Sequence, residues 1–168
     1  MEIENKILNV SDKKDNKVLR KKTKPFDLKD FKSEEIKKLV ADMRRIMRAA
    51  NGIGLAANQI GLPWRVFVAE VPSGDGGTKF YAMFNPTLEK TSEEHVFFEE
   101  GCLSVPGVYG EVERPERVTL NAFDAKGKPV KIKAWGLLAR VFQHEMDHLN
   151  GYVFIDRTKQ VYKAKPNP

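Results

Sequence analysis

His144 and His148 stand four residues apart in the run His144-Glu145-Met146-Asp147-His148. Residues four apart share one face of a helix, so both imidazoles can converge on a single ion. Glu145, beside the first of them, can reach a water next to that ion. A catalytic centre of this kind needs a third protein ligand and one open position. Only twenty residues follow His148, and Asp156 is their one acid, with no His, Cys or Glu among them. Cys102 is the better candidate. It lies in Glu100-Gly101-Cys102-Leu103-Ser104, where Gly101 permits close backbone approach. A thiolate with two imidazoles suits Fe(II), Zn(II), Co(II) or Ni(II) in tetrahedral geometry, and suits neither calcium nor magnesium. Cys102 is the chain's single cysteine, which excludes an intramolecular disulfide and points to a reducing compartment. Taken alone, it reads as an apolar filler, a nucleophile or a ligand.

A second segment able to do chemistry is Gly52-Ile53-Gly54-Leu55-Ala56-Ala57-Asn58-Gln59. It lacks both the Lys-Ser/Thr of a phosphate loop and the glycine spacing of a dinucleotide site. Small residues let a substrate backbone pass close, and the Gln59 amide can meet developing oxyanion charge. The competing reading is a tight turn carrying a surface glutamine.

These groups need elements to hold them. Apolar residues at Ile36, Leu39, Val40, Met43, Ile46, Met47 and Ala50 trace one helix face across 31–50. Ser33 is the expected N-cap and Gly52 the expected terminator. Strands are expected over 66–71, 80–85, 95–98, 117–124 and 129–135, with a hairpin turn at Asp124-Ala125-Lys126-Gly127. A second helix runs from Leu137 to Leu149, stopped by Asn150-Gly151. The resulting class is α+β: a single domain over 1–168, with an antiparallel sheet packed around a metal-binding C-terminal helix and an amphipathic helix N-terminal to it. Pro166-Asn167-Pro168 reads as an irregular end.

With 168 residues, 41% hydrophobic and 31% charged, the chain has the balance of a soluble globular protein. No apolar run nears the roughly 20 residues of a membrane helix, and 1–10 lacks the apolar core of a secretory signal. A cytoplasmic location is expected. The net charge of +6 is concentrated in 13–24 and 159–165, read here as solvated, partly mobile ends. Transient contact with ribosomal RNA is the functional alternative, although no specific nucleic-acid motif is present.

Together the segments at 52–59, 100–104 and 144–148 closely resemble the hallmarks of the peptide deformylase family: Gly-x-Gly-x-Ala-Ala-x-Gln, Glu-Gly-Cys-x-Ser and His-Glu-x-x-His, in that order. Arg140, Gln143 and Leu149-Asn150-Gly151 match as well, and the likeness runs from about Val18 to Asp156. The resemblance implies a hydrolase that removes the formyl group from the N-terminal methionine of newly made proteins. It implies Cys102, His144 and His148 as ligands, commonly to Fe(II), with Zn(II), Ni(II) or Co(II) able to substitute. Glu145 would serve as base and then acid while water attacks the formyl carbonyl, and Gln59 with the Leu103 N–H would steady the oxyanion. Backbone groups near Ile53, Gly54 and Gly101 would pair with the peptide, and Ile53, Phe98, Leu137 and Val141 would line a methionine pocket. Each of these four is equally at home in a plain core. Glu100 and Arg114 would form a supporting ion pair, with Asp147 an orienting or structural carboxylate rather than a second base. Asn58 stands where many relatives have proline, a departure expected to loosen the loop before Gln59. The short segment after Asp156 differs from relatives whose long C-terminal helix docks on the ribosome. A zinc endopeptidase and an inactive basic binding module are the rival readings. The first leaves Cys102 unexplained, and the second leaves an intact ligand set without a purpose.

Overall fold

A computed structural model describes residues 3–163. Helix α1 spans Lys13–Leu19 and α2 Ser33–Ala49, and the strands β1 (Gly54–Ala56), β2 (Val66–Pro72) and β3 (Thr78–Thr91) follow. Strands β4 (His95–Cys102), β5 (Val105–Pro115), β6 (Arg117–Phe123) and β7 (Pro129–Trp135) lead into helix α3 (Gly136–Leu149), and β8 (Val161–Lys163) closes the described chain. One five-stranded sheet has the order β1-β2-β3-β6-β7 and a three-stranded sheet the order β4-β5-β8. Neighbouring strands are antiparallel in both.

Strand β2 explains the layering. Side chains alternate between faces along a strand, so Phe67, Ala69 and Val71 face α3 with Phe142, Met146 and Leu149. Val66 and Val68 face the other way, onto Leu39, Met43 and Met47 of α2. With a helix on each face, β2 is an unbroken apolar run except for Glu70. That carboxylate sits under α2, where Arg44 and Arg48 each reach its Oε1 at 2.6 Å and Thr78 donates to it at 2.9 Å.

The ends of α2 differ from expectation. Ser33 is the first helical residue and Lys32 precedes it in extended conformation; the Glu35 carboxylate reaches back to the Lys32 N–H at 2.8 Å. At the other end Asn51, with φ 55°, takes the left-handed position. Its N–H donates to the Arg48 carbonyl and that of Gly52 to the Met47 carbonyl, at 3.0 and 2.9 Å.

Two further expectations are corrected. The basic stretch 13–24 is not a loose end: Asp12 caps α1 by accepting from the N–H groups of Lys14 and Asp15, and Leu19 and Thr23 are buried. A solvated lysine-rich face hides that anchoring from a reading of charge alone. Strand β5 was not expected because Pro106, Gly107 and Gly110 read as turn residues and Arg114 occupies an inward position. The irregular end expected at 166–168 lies outside the described residues, as does part of the basic segment 159–165.

The arginines beside Glu70, Arg48 foremost, hold its carboxyl well below the usual carboxylate range. A carboxyl whose pKa is lowered by folding contributes stability above its unfolded pKa of about 4.3 and loses that contribution as the pH falls further. Glu70→Gln should therefore flatten the fall in stability between about pH 5 and pH 3, measured by urea unfolding at a series of pH values. An unchanged acid profile would count against Glu70 as a stabilising charge.

Candidate active site

Strand β4 ends at Cys102, and α3 carries His144 and His148 one turn apart, facing that strand end. The Cys102 Sγ lies 3.2 Å from His148 Nε2, which is 3.2 Å from His144 Nε2. All three ligand atoms fall within 4.8 Å of one another. His144 Nδ1 meets the Glu100 carboxylate at 2.9 Å, which fixes the ring and leaves Nε2 free to face the other two donors. Burial holds His148 well below the ordinary histidine value. Asp156, the alternative third ligand, accepts from the Val153 N–H and pairs with Arg20 instead. A soft sulfur and two imidazole nitrogens around one point fit a tetrahedral divalent transition metal.

Glu100 and its partners form a buried charge network larger than the expected pair. Arg114 grips Glu100 with Nε and Nη2 at 2.5 and 3.0 Å, and Arg140 adds Nη1 at 2.8 Å. Arg114 also reaches Asp147 at 2.9 Å, and Asp147 in turn holds Arg157 at 2.5 Å. Although burial opposes its charge, His144 and Arg114 keep the Glu100 carboxyl well below the usual range. Both Asp147 oxygens are thus engaged by arginines. The part played by Arg140 and Arg157 could not be read from sequence, since an arginine on a helix and one in a loop have many partners to choose from.

Gln59 is 1% exposed, which rules out the surface-glutamine reading. Its Oε1 accepts from the Ala56 N–H at 2.8 Å, so Nε2 points toward Ser104 Oγ at 3.2 Å and the Cys102 sulfur at 3.8 Å. Asn58 is also buried, and its Nδ2 donates to the His148 carbonyl at 2.6 Å. The loop is tied down at Asn58, contrary to the expected loosening. Glu145 is buried against β1, and no protein group among the described residues reaches its Oε2. Burial pushes its carboxyl up to about 7, against the pull of His144. A Cβ added at Gly54 would lie 2.2 Å from Glu145 Oε1 and 2.9 Å from Cδ, so glycine is what lets the carboxylate sit there.

These groups open into a cavity of about 640 Å³ between β1 and β4, each the edge strand of its sheet. Ile53, Gly54, Phe98, Gly101, Leu103, Leu137 and Val141 all line it. Ile53, Phe98 and Leu137 are 44%, 59% and 43% exposed, so they form a rim rather than a core, while Val141 is buried at the floor. The Ile53 carbonyl accepts from the Glu70 N–H at 2.8 Å, so it already serves the sheet. Alternation then turns the Gly54 backbone groups toward the cavity. Tyr109, absent from the expected set, packs on Gly101, where an added Cβ would meet its ring at 2.8 Å.

A Cys/His/His centre with a carboxylate beside it, in an open cleft of an antiparallel α+β shell, defines a metal-dependent hydrolase. The model of the polypeptide deformylase family matches residues 5–164. A peptide deformylase of Brucella suis is 43% identical over 86% of this chain and 81% of its own. One from Chloroflexus aggregans is 40% identical over 93% and 88%. Among solved structures, a probable peptide deformylase from Synechococcus phage S-SSM7 superposes with a TM-score of 0.82 at 39% identity, covering 94% of this chain and 100% of that one. A peptide deformylase from Synechococcus elongatus in complex with actinonin gives 0.81 at 36% identity, covering 94% and 79%. The chain belongs to the polypeptide deformylase family and is an enzyme of that class, a hydrolase of N-terminal protein processing.

Gly54→Ala should push the Glu145 carboxylate out of place and cut kcat by about 100-fold, the scale of a 1 Å misplacement. Metal content and thermal stability should hold, as read by metal analysis and a melting curve. Near-normal turnover in that variant would mean Glu145 does not work from this position.

Proposed function

We propose that this enzyme releases formate from the N-terminal formyl-methionine of newly made polypeptides in the cytoplasm, acting as one catalytic domain. The observation that carries the reading is the convergence of Glu145 Oε2, the Gln59 amide and the Cys102/His144/His148 donors on one cleft. Cys102, His144 and His148 would hold a divalent ion, which would supply Lewis acidity and bring the pKa of water from 15.7 toward about 7. Fe(II) is the ion we propose, with Zn(II), Ni(II) and Co(II) as substitutes that the same donors accept.

The chain's own residues do the rest. An extended peptide between the edges of β1 and β4 pairs with the backbone of Gly54 and Gly101, as an added strand does. Its methionine side chain lies among Ile53, Phe98, Leu137 and Val141, whose rim closes over it and excludes water. Glu145 takes a proton from the attacking water at Oε2 and returns it to the departing amine. Gln59 Nε2 and the Leu103 N–H donate to the carbonyl oxygen as charge develops there, each worth on the order of 3 kcal/mol. The rival endopeptidase reading is disfavoured by Asp156, which is engaged away from the donors, and by Cys102, which the endopeptidase does not explain. No helix among the described residues is long and apolar enough to cross a membrane. Lys13, Lys14, Lys17, Lys21 and Lys22 are exposed, and this strip is what supports transient ribosomal contact.

Formyl-Met peptides should release formate while unformylated ones are left intact. Metal-loaded protein that yields no formate would falsify the assignment. Glu145→Ala should keep its metal yet lose most turnover, and Gln59→Ala should lower kcat by about 100- to 1,000-fold. Anaerobic purification with metal analysis identifies the ion. If it is iron, air or peroxide should inactivate the enzyme through Cys102 oxidation, whereas stability in air would point to zinc or nickel. Charge-neutral substitutions of the five lysines should weaken cosedimentation with ribosomes, and unchanged cosedimentation would remove that contact.

A further inference from the structure

The two histidines are held differently. His144 is oriented through its second ring nitrogen, by Glu100. His148 has no such aid: its ring is fully buried, and no protein group among the described residues reaches Nδ1. Its orientation therefore depends on where its backbone is fixed, and that backbone lies in the last turn of α3, where carbonyls lack helical partners. Tertiary donors supply them. The His148 carbonyl accepts from Asn58 Nδ2 at 2.6 Å as well as from the Gly151 N–H at 3.0 Å. The next carbonyl, Leu149, accepts from Thr23 through its N–H and Oγ1, both at 2.9 Å.

Asn58 sits in the short turn Ala57–Ile60, directly before Gln59. Its amide cannot be reversed, because Nδ2 also faces the Leu19 carbonyl at 3.5 Å, and a flip would set oxygen against two carbonyl oxygens. One turn of chain thus carries two amides with separate tasks. Asn58 grips the backbone of His148, while Gln59 directs its own Nε2 toward Cys102 and Ser104.

We infer that Asn58 is a positioning residue that sets the His148 ligand relative to the Gln59 donor, coupling metal retention to oxyanion stabilisation. This rests on the reading of His148 as a ligand and Gln59 as a donor. Asn58 does not line the cavity, so its loss acts on kcat and on the metal rather than on KM.

The test uses the cobalt-loaded full chain. Asn58→Leu matches asparagine in size without donating to the carbonyl, and Asn58→Ser keeps a hydroxyl too short to reach it without adding bulk. Should the leucine variant fail to fold, the serine variant carries the test. Thr23→Val is the control, removing one donor to the adjacent carbonyl while leaving the ligand's own carbonyl untouched. The expected result is cobalt loss to a chelator about 10- to 100-fold faster in the Asn58 variants, the range for groups supporting a ligand. A shifted cobalt absorption envelope and a lowered kcat at constant KM should accompany it. Thr23→Val should lower the melting temperature but leave the spectrum and the release rate unchanged. Unchanged release and spectra in the Asn58 variants would overturn the inference. So would equal effects from Thr23→Val, because the role would then be general support of the helix end. Wild-type protein that took up no cobalt would instead overturn the ligand reading, and the inference with it.

Discussion

The site hangs on the Glu100 carboxylate, because it ties together the two elements that carry the metal-binding candidates. It stands on β4 two residues before Cys102, and it holds the ring of His144 on α3. A buried carboxylate carries a desolvation cost of several kcal/mol unless its oxygens are fully engaged. Arg114, Arg140 and His144 engage both of them. Removing one partner of such a set typically costs about 3–5 kcal/mol, since the remaining charge is left buried and uncompensated. The same bonds that make the cluster tolerable therefore fix strand to helix at the point where the three donors meet.

Around that point the fold separates what must be rigid from what must receive substrate. Helix α3 packs its apolar face on the five-stranded sheet and has the His148 carbonyl tied to Asn58, so both histidines ride on an anchored rod. The cleft lies instead between two sheet edges, where backbone groups are unpaired on one side and an extended peptide can complete them. Its rim is apolar and exposed at Ile53, Phe98 and Leu137, ready to lose that exposure against a methionine side chain. Glycine at 54 serves both arrangements, bringing a strand edge to the cavity and leaving room for Glu145 behind it.

The sequence by itself named the three candidate ligands, which the fold brings together, and most of the elements. A four-residue histidine spacing has one geometric meaning on a helix, and the regular apolar steps of α2 and the hairpin of β6 and β7 leave little choice of period. Where local signals conflicted, the reading failed for identifiable reasons. Strand β5 carries turn residues and an inward arginine, α1 presents lysines to solvent, and the N-terminus of α2 is set by Glu35 rather than Ser33.

Only the tertiary structure decided which polar side chains are buried together. Glu100, Arg114, Arg140, Asp147 and Arg157 lie on four separate segments, and nothing in their spacing names their partners. Asn58 looked like a departure that would slacken a loop, yet it meets a carbonyl ninety residues further along the chain. Periodicity encodes the face of an element, so it can be read locally. A hydrogen bond between distant segments exists only once the core has brought them within about 3 Å, and that distance is a property of the packed whole.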